Sequence, residues 1–339
     1  LYIDSYVFKY PRAIVALVRE EFMPLVKAIK ALTPTNIYEL YCNLFKNHKK
    51  MQDYCSRQLN LDLLEKMSQQ TLNTLKDNNL LYEDLAPYTY FKTTLTGEND
   101  AIKGMKFIIV DEAQDYSQFQ YQILKQSFLD CNFTLLGDLN QSIHPYTAGI
   151  NYNIIRNIFH KSKNKTVKLK KSYRSTSEIV EFTKRILPDR EEIEAVARPG
   201  AKPQIIQVEG NISEALINGV KKSRAKGANS IAIICKTAEQ STYIYNQLQD
   251  DIETNLVTRN DLELKQGTVI IPSYLVKGLE FDAVIINMDS DNNYTKENER
   301  KLFYTLCTRA LHQLYIYYTD TLPVFISEID KSLYDISKY

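Results

Sequence analysis

Two periodicities divide the chain. Up to about residue 90 the apolar positions recur at helical spacing, and Ile14, Leu17, Val18, Phe22, Leu25, Val26 and Ile29 form one such stripe. The segment TPTNIYELYCNLF offers Thr35 or Asn36 as the cap of a second helix, and Leu61, Leu64, Leu72 and Leu75 mark a third. No constellation in these segments suggests chemistry, and they read as helical packing. After Gly104 the pattern changes to short apolar runs separated by helical or turn segments: KFIIVD, FTLLGD, TVKLKKSYR, KPQIIQVE, SIAIICK, TVIIPSYL, DAVIINMD and QLYIYYT. Each is strand-length and rich in Val, Ile and Tyr, which predicts strands buried on both faces of a parallel sheet. Strands alternating with helices predict an α/β architecture, preceded here by an α-helical segment. RPGAKP, at 198–203, is a Pro/Gly punctuation mark just before one of these strands.

The bulk composition narrows this only slightly. The 339 residues suffice for two domains with a substantial core. With 42 basic and 41 acidic residues, net charge neither demands nor excludes a nucleic-acid partner. No run of about 18 apolar residues occurs, so no membrane span is expected. No signal peptide is visible. Five cysteines (Cys42, Cys55, Cys131, Cys235, Cys307) form no CxxC pair and are odd in number. That usage suits reduced thiols in a cytoplasmic protein better than a disulfide framework or a zinc site. The four histidines are scattered without ligand spacing. The chain opens at Leu1 inside a helical pattern, and we expect it to be a piece of something longer.

Candidate chemistry begins at FIIVDEAQD, Phe107 to Asp115, where an apolar strand runs into acids. Carboxylates at the C-terminal end of a parallel strand sit where α/β sheets bind ligands. There Asp111 could hold Mg²⁺, directly or through water, and Glu112 could polarise the water that attacks a γ-phosphate. The plainer reading is a capped helix start. Further on, FTLLGDLNQSI ends a second strand at Gly137-Asp138, with Gln141 placed to sense a γ-phosphate by hydrogen bonding. LKKSYRST puts Arg174 after a basic run (Lys161, Lys163, Lys165, Lys168, Lys170, Lys171) that reads more simply as a solvated edge. YLVKGLEFDAVII supplies a Gly278 turn and Glu280, and ERKLFYTLCTRA puts Arg309 on a helix. Two arginines closing on a phosphate held elsewhere would act as arginine fingers.

These five segments, in this order, resemble motifs II to VI of superfamily 1 helicases of the UvrD/Rep type. More narrowly, VDEAQDYSQFQ, GDLNQSI, YRSTSEIVEFTK, RPGAKP, AIICKTA, IPSYLVKGLEFDAVI and LFYTLCTRA resemble the HelD family, helicase-like ATPases that bind and recycle RNA polymerase in Gram-positive bacteria. The resemblance runs from about residue 82 to the C-terminus. It implies RecA-like, P-loop NTPase-type parallel sheets. Residues 1–90 would be a helical segment ending an insertion, 91–160 the last part of domain 1A, and 161–339 domain 2A, with two packed layers meeting near residues 150–175. It implies ATP and Mg²⁺ as ligands. Asp111, Glu112, Gln141, Arg174 and Arg309 would be catalytic, and Gly278 and Glu280 would contact the nucleotide or set its turn. It implies bacterial RNA polymerase as a partner, with single- or double-stranded DNA as a further one. A processive DNA helicase of repair and a non-catalytic, polymerase-binding half-motor are the alternatives.

Two features bear on which of these applies. The Walker A signature needs a Gly-Lys pair, and none of the ten glycines precedes a lysine. The upstream region that carries this loop would be a partner of the same parent chain, and this piece alone is expected not to hydrolyse ATP at a useful rate. Several strand-facing positions also depart from the helicase pattern. HPYTAG stands where an aromatic and Trp-Arg-Gly are usual, so Thr147 replaces the arginine, while Tyr146 keeps an aromatic face for stacking. Pro272-Ser273-Tyr274 replaces Thr-x-His, which makes Ser273 and Tyr274 the other nucleic-acid candidates. Ser172 stands for the usual Asn before Tyr-Arg.

Overall fold

The computed structural model describes residues 36–54, 60–77, 79–96, 104–143, 147, 151–159, 164–187, 193–261, 263–289 and 294–339. The stripe from Ile14 to Ile29 lies outside them. The chain forms two compact units, neither contiguous in sequence. One takes residues up to Val110 together with Tyr116–Thr134 and Tyr152–His160; the other takes Asp111–Asp115, Leu135–Asn151 and Lys161–Tyr339.

The first unit is mostly helical. It holds α1 (Ile37–Phe45), α2 (His48–Tyr54), α3 (Leu61–Lys76) and α4 (Tyr82–Thr96), then β1 (Phe107–Val110), α5 (Gln118–Ser127), β2 (Asn132–Leu135, all but its last residue) and α6 (Tyr152–Ile158). Asn36 caps α1, its side chain accepting the Glu39 amide at 3.0 Å. Leu64 and Leu75, one helical face of α3, are buried, and Tyr41 of α1 is buried with its hydroxyl donated to Asp84 of α4 at 3.1 Å. β1 and β2 form a two-stranded sheet. β1 departs from the expected burial on both faces, because Phe107 and Ile109 are each 71 % exposed while Val110 is buried. The two exposed residues alternate along the strand and so share a face.

The second unit holds a seven-stranded sheet in the order β11-β5-β10-β9-β6-β8-β7. Its strands are β5 (Gln204–Gln207), β6 (Ile231–Cys235), β7 (Asn255–Leu256), β8 (Thr268–Pro272), β9 (Phe281–Met288), β10 (Ala310–Tyr318) and β11 (Asp335–Lys338). Every pairing in it is parallel. Alternate residues enter two separate cores, one on each face. Ala232, Ile234, Val284, Ile286, Leu314 and Ile316 join one core; Ile231, Ile233, Ala283, Ile285, Tyr315 and Tyr317 join the other. This two-sided burial is why IAIIC and AVIIN read as unbroken apolar runs. The first face is covered by α7 (Ser177–Thr183), α10 (Arg300–Cys307) and α11 (Val324–Ser327); the second by α8 (Ile212–Ala225) and α9 (Ala238–Leu248).

One expected strand is almost absent. Of TVKLKKSYR only Lys171–Ser172 forms β3, paired with β4 (Glu194–Ala195). Val167 and Leu169 are 66 % and 91 % exposed. Lysines at 165, 168, 170 and 171 keep this segment in water, and two apolar residues among them bury too little area to offset ordering it.

Candidate functional site

Every residue of the site belongs to the second unit. The chain leaves β1 at Val110, passes Asp111 and Glu112, and makes a 3₁₀ turn over Ala113–Asp115. Glu112 has φ +48°, a left-handed conformation rare outside glycine and costing about 1–3 kcal/mol. Its backbone is held in that state from both sides. The Asp111 carboxylate accepts the Glu112 amide at 2.8 Å, and the Ala113 amide donates to the Leu136 carbonyl at 2.8 Å. Gln114, 2 % exposed, donates its amide to the Glu112 carboxylate at 2.5 Å and accepts the Asp138 amide at 2.9 Å. Gln114 thereby joins the acidic turn to the turn that carries Gln141.

Gln141 ends a 3₁₀ turn capped by Asp138, whose Oδ1 accepts the Asn140 amide and whose Oδ2 accepts the Gln141 side chain at 3.0 Å. That bond leaves the Gln141 side-chain carbonyl for Arg309, whose Nη2 donates to it at 2.5 Å. Arg309 is 2 % exposed and lies in the turn between α10, which ends at Cys307, and β10, not on the helix expected for it. Its Nε donates to the Thr305 carbonyl (3.1 Å) and its other guanidinium nitrogens reach the Leu279 carbonyl (3.5 Å) and Thr308 Oγ1 (3.3 Å). Burial lowers the Arg309 pKa and the nearby Arg174 charge lowers it further, while Glu112 and Glu280 oppose the shift.

The turn between β8 and β9 supplies two more charges. Gly278 has φ +79°, which explains a glycine there. Lys277, beside it, is 12 % exposed; its ammonium donates to Asp115 Oδ1 at 2.5 Å and to the Gln141 main-chain carbonyl at 3.1 Å, and lies 3.7 Å from Glu112. Glu280 pairs with Arg174 Nε at 2.7 Å; the two side chains are 39 % and 45 % exposed. Glu112, Gln141, Arg309, Arg174, Glu280 and the Gly278 turn are thus brought into one constellation. Lys277, Gln114 and Asp115 are members that sequence reasoning passed over. The signal for Lys277 was its place beside a glycine that a turn requires.

Asp111 is exposed, and among the described residues no group of three or more His, Cys, Asp or Glu is arranged to hold a metal ion. Mg²⁺ at nucleotide sites is usually held by one or two carboxylates plus phosphate oxygens and water. The single Asp111 carboxylate suits an ion arriving with its nucleotide and does not suit a resident one.

The nucleic-acid candidates fare differently. Tyr146 lies outside the described residues. Ser273 is 3 % exposed and donates its hydroxyl to the Lys236 carbonyl at 2.9 Å, so its side chain faces the interior. A small hydroxyl after Pro272 thus ties the end of β8 to the end of β6. Tyr274 is half-buried, with the Arg259 guanidinium 4.8 Å over its ring. Thr147 is 3 % exposed, with its hydroxyl 2.5 Å from that of Ser142.

Comparison with known proteins gives matches to two families: the UvrD/REP helicase N-terminal domain over residues 17–164 and the UvrD-like helicase C-terminal domain over 268–317. The ATP-dependent DNA helicase Rep of Buchnera aphidicola (subsp. Schizaphis graminum) is 28% identical over 150 residues, covering 43% of this chain and 22% of that protein. A probable DNA helicase II homolog of Mycoplasma genitalium is 22% identical over 293 residues, covering 79% of this chain and 38% of that one. The chain therefore spans well under half of these relatives. Among solved structures, the C-terminal domain of a possible DNA helicase from a Lactobacillus (WCFS1) is 30% identical with a TM-score of 0.43, over 49% of this chain and 98% of that one.

Proposed function

We propose that this chain, which carries UvrD/Rep-type superfamily 1 helicase domains, supplies the γ-phosphate-facing half of an ATP-driven motor of the HelD type. The observation that carries the reading is the bond from the buried Arg309 to Gln141, set beside Glu112 and Lys277. A buried guanidinium held by a neutral amide is not neutralised by that partner, and a phosphate can take the place of a Gln carbonyl as acceptor. Gln141 would then report on the γ-phosphate, and its peptide would pass the change to Lys277 and the acidic turn. Glu112 would orient and polarise the attacking water. Arg174 and Arg309 would neutralise the charge that develops on the transferred phosphoryl group. When bound with the nucleotide, Mg²⁺ would be held by Asp111 and would screen the phosphate oxygens. Residues 91–160 and 161–339 are assigned to domains 1A and 2A on this reading. The Gly-Lys loop for the β- and γ-phosphates is assigned to the remainder of the parent protein, which we place in the cytoplasm.

The load is proposed to be bacterial RNA polymerase rather than a DNA duplex. What supports this is the state of the strand-facing positions. Ser273 is turned inward, Thr147 is buried where an arginine is usual, and Tyr274 is covered by Arg259. The test is steady-state ATP turnover by the intact parent protein, alone, with single-stranded DNA, and with bacterial RNA polymerase, each beside a Glu112→Gln version. Polymerase is expected to stimulate turnover or to be released in a nucleotide-dependent way, with little response to DNA. Strong stimulation by DNA together with unwinding would establish a processive helicase instead. Turnover by the isolated chain that Glu112→Gln abolishes would overturn the half-site reading.

A further inference from the structure

Arg174 lies in the turn between β3 and α7, and its backbone is clasped from two sides. One side is the start of β10, which follows Arg309 directly. Ser175 Oγ donates to the Ala310 carbonyl at 2.6 Å, and the Thr176 amide donates to the Leu311 carbonyl at 3.1 Å. The other side is the RPG segment at 198–200. The Arg198 carbonyl accepts the Ser177 amide at 3.0 Å and its hydroxyl at 3.2 Å, and the Gly200 amide donates to Glu178 at 2.7 Å. Gly200 lies so close that a Cβ there would run into the Thr176 side chain. The bonds from β10 hold residues 175 and 176. The carbonyl of Arg174 itself is held by Arg198, whose Nη1 donates to it at 3.2 Å. The other end of the Arg198 guanidinium is kept in place by His312 of β10, with Nη2 3.2 Å from the ring Nε2.

We propose that Arg198 is a positioning residue for Arg174. By fixing the Arg174 peptide against the strand that directly follows Arg309, it sets the separation of two guanidinium groups aimed at one triphosphate. This rests on the ATP-site reading above. The Arg174 side chain is half-exposed and, among the described residues, pairs with Glu280. Its aim therefore depends on its backbone, where a small rotation is amplified along a long side chain. An error of about 1 Å in such a group can cost up to about 10²-fold in rate.

The experiment uses the intact parent protein. Arg198→Ala is expected to lower kcat for ATP about tenfold while KM changes less than about twofold, the signature of an interaction needed only in the transition state. Arg198→Lys should recover part of the loss. The double variant Arg174→Ala/Arg198→Ala should be no slower than Arg174→Ala alone, since a positioning residue has nothing left to position. Circular dichroism and Tm of the Arg198 variants should match the unmodified protein. An unchanged kcat in Arg198→Ala, or a double variant that loses the full product of the two single effects, would overturn the proposal. Failure of the underlying reading is distinguishable: Arg174→Ala itself would turn over ATP at the normal rate, or the intact protein would turn over none, and either result would overturn both.

Discussion

Arg309 and Arg174 are both motif arginines that the sequence marks as fingers for one phosphate, and the structure gives them different physics. Arg309 is 2 % exposed and spreads its guanidinium over Thr305, Leu279, Thr308 and Gln141. Arg174 is nearly half exposed, and its side chain has Glu280 as its ion-pair partner. A buried cation without those acceptors would be prohibitive, so Arg309 is part of what holds α10 to the β8–β9 turn and to Gln141. Arg174 contributes little to cohesion, because exposed ion pairs are worth roughly 0–1 kcal/mol. The difference separates a charge built into the fold from a charge the fold merely presents.

Truncation is the sharpest way to break this contrast. Arg309→Ala leaves several acceptors buried without a donor and should cost about 3–5 kcal/mol in urea unfolding. Arg174→Ala should cost less than about 1 kcal/mol. Both should cut ATP turnover of the intact protein by about 10³-fold or more, so equal stabilities for the two variants would erase the distinction. Lys277→Met comes next. It removes the donor to Asp115 and to the Gln141 carbonyl and should cost about 1–3 kcal/mol in thermal unfolding, with Lys277→Arg closer to the parent.

Two smaller effects sharpen the picture on each side. Beside His312, the ring that Arg198 touches, burial would raise the Asp282 pKa, but the Ser230 and Asn229 amides, the Ser230 hydroxyl and His312 together hold it below the usual range. A depressed carboxylate contributes stability above its unfolded value of about 3.9 and loses it as pH falls through the folded value. Asp282→Asn should therefore lose about 1 kcal/mol at pH 7 and show a shallower decline below about pH 4 than the parent; an identical acid profile would count against the assignment. Near Arg309, Glu112→Gly should be more stable than Glu112→Ala by about 1 kcal/mol, since glycine accepts the left-handed backbone without strain.

The sheet of the second unit was legible because burial on both faces writes itself into the sequence as apolar runs. IAIIC, VIIP, AVIIN and LYIYY each became a strand in one parallel sheet. KFIIVD became a strand too, but the same apolar signal did not reveal that Phe107 and Ile109 stay exposed. A run of apolar residues states what a strand could bury and says nothing about what covers it. TVKLKKSYR misled in the opposite direction, since Val167 and Leu169 alternate correctly yet lysines hold them in water. At the site, the motif residues were visible as charges ending apolar runs. Lys277 and Gln114 were hidden because their parts are assigned by contacts across 162 and 24 residues of sequence. The inward turn of Ser273 was not legible, because whether a hydroxyl faces in or out depends on a carbonyl outside its own strand, that of Lys236 just after β6.

The order β11-β5-β10 has a consequence during synthesis on the ribosome. β5 ends at Gln207, and its two neighbours begin at Ala310 and Asp335. At roughly 5–20 residues per second, the nascent β5 waits on the order of 5–20 s for its first partner, with the backbone groups of both edges unpaired. The strands of the middle, β6, β8 and β9, can pair among themselves in that interval. Growth therefore runs from the centre of the sheet outward, and a ribosome stalled before β10 would leave β5, with Ile205 and Ile206, as the segment most open to a chaperone or to a neighbouring chain.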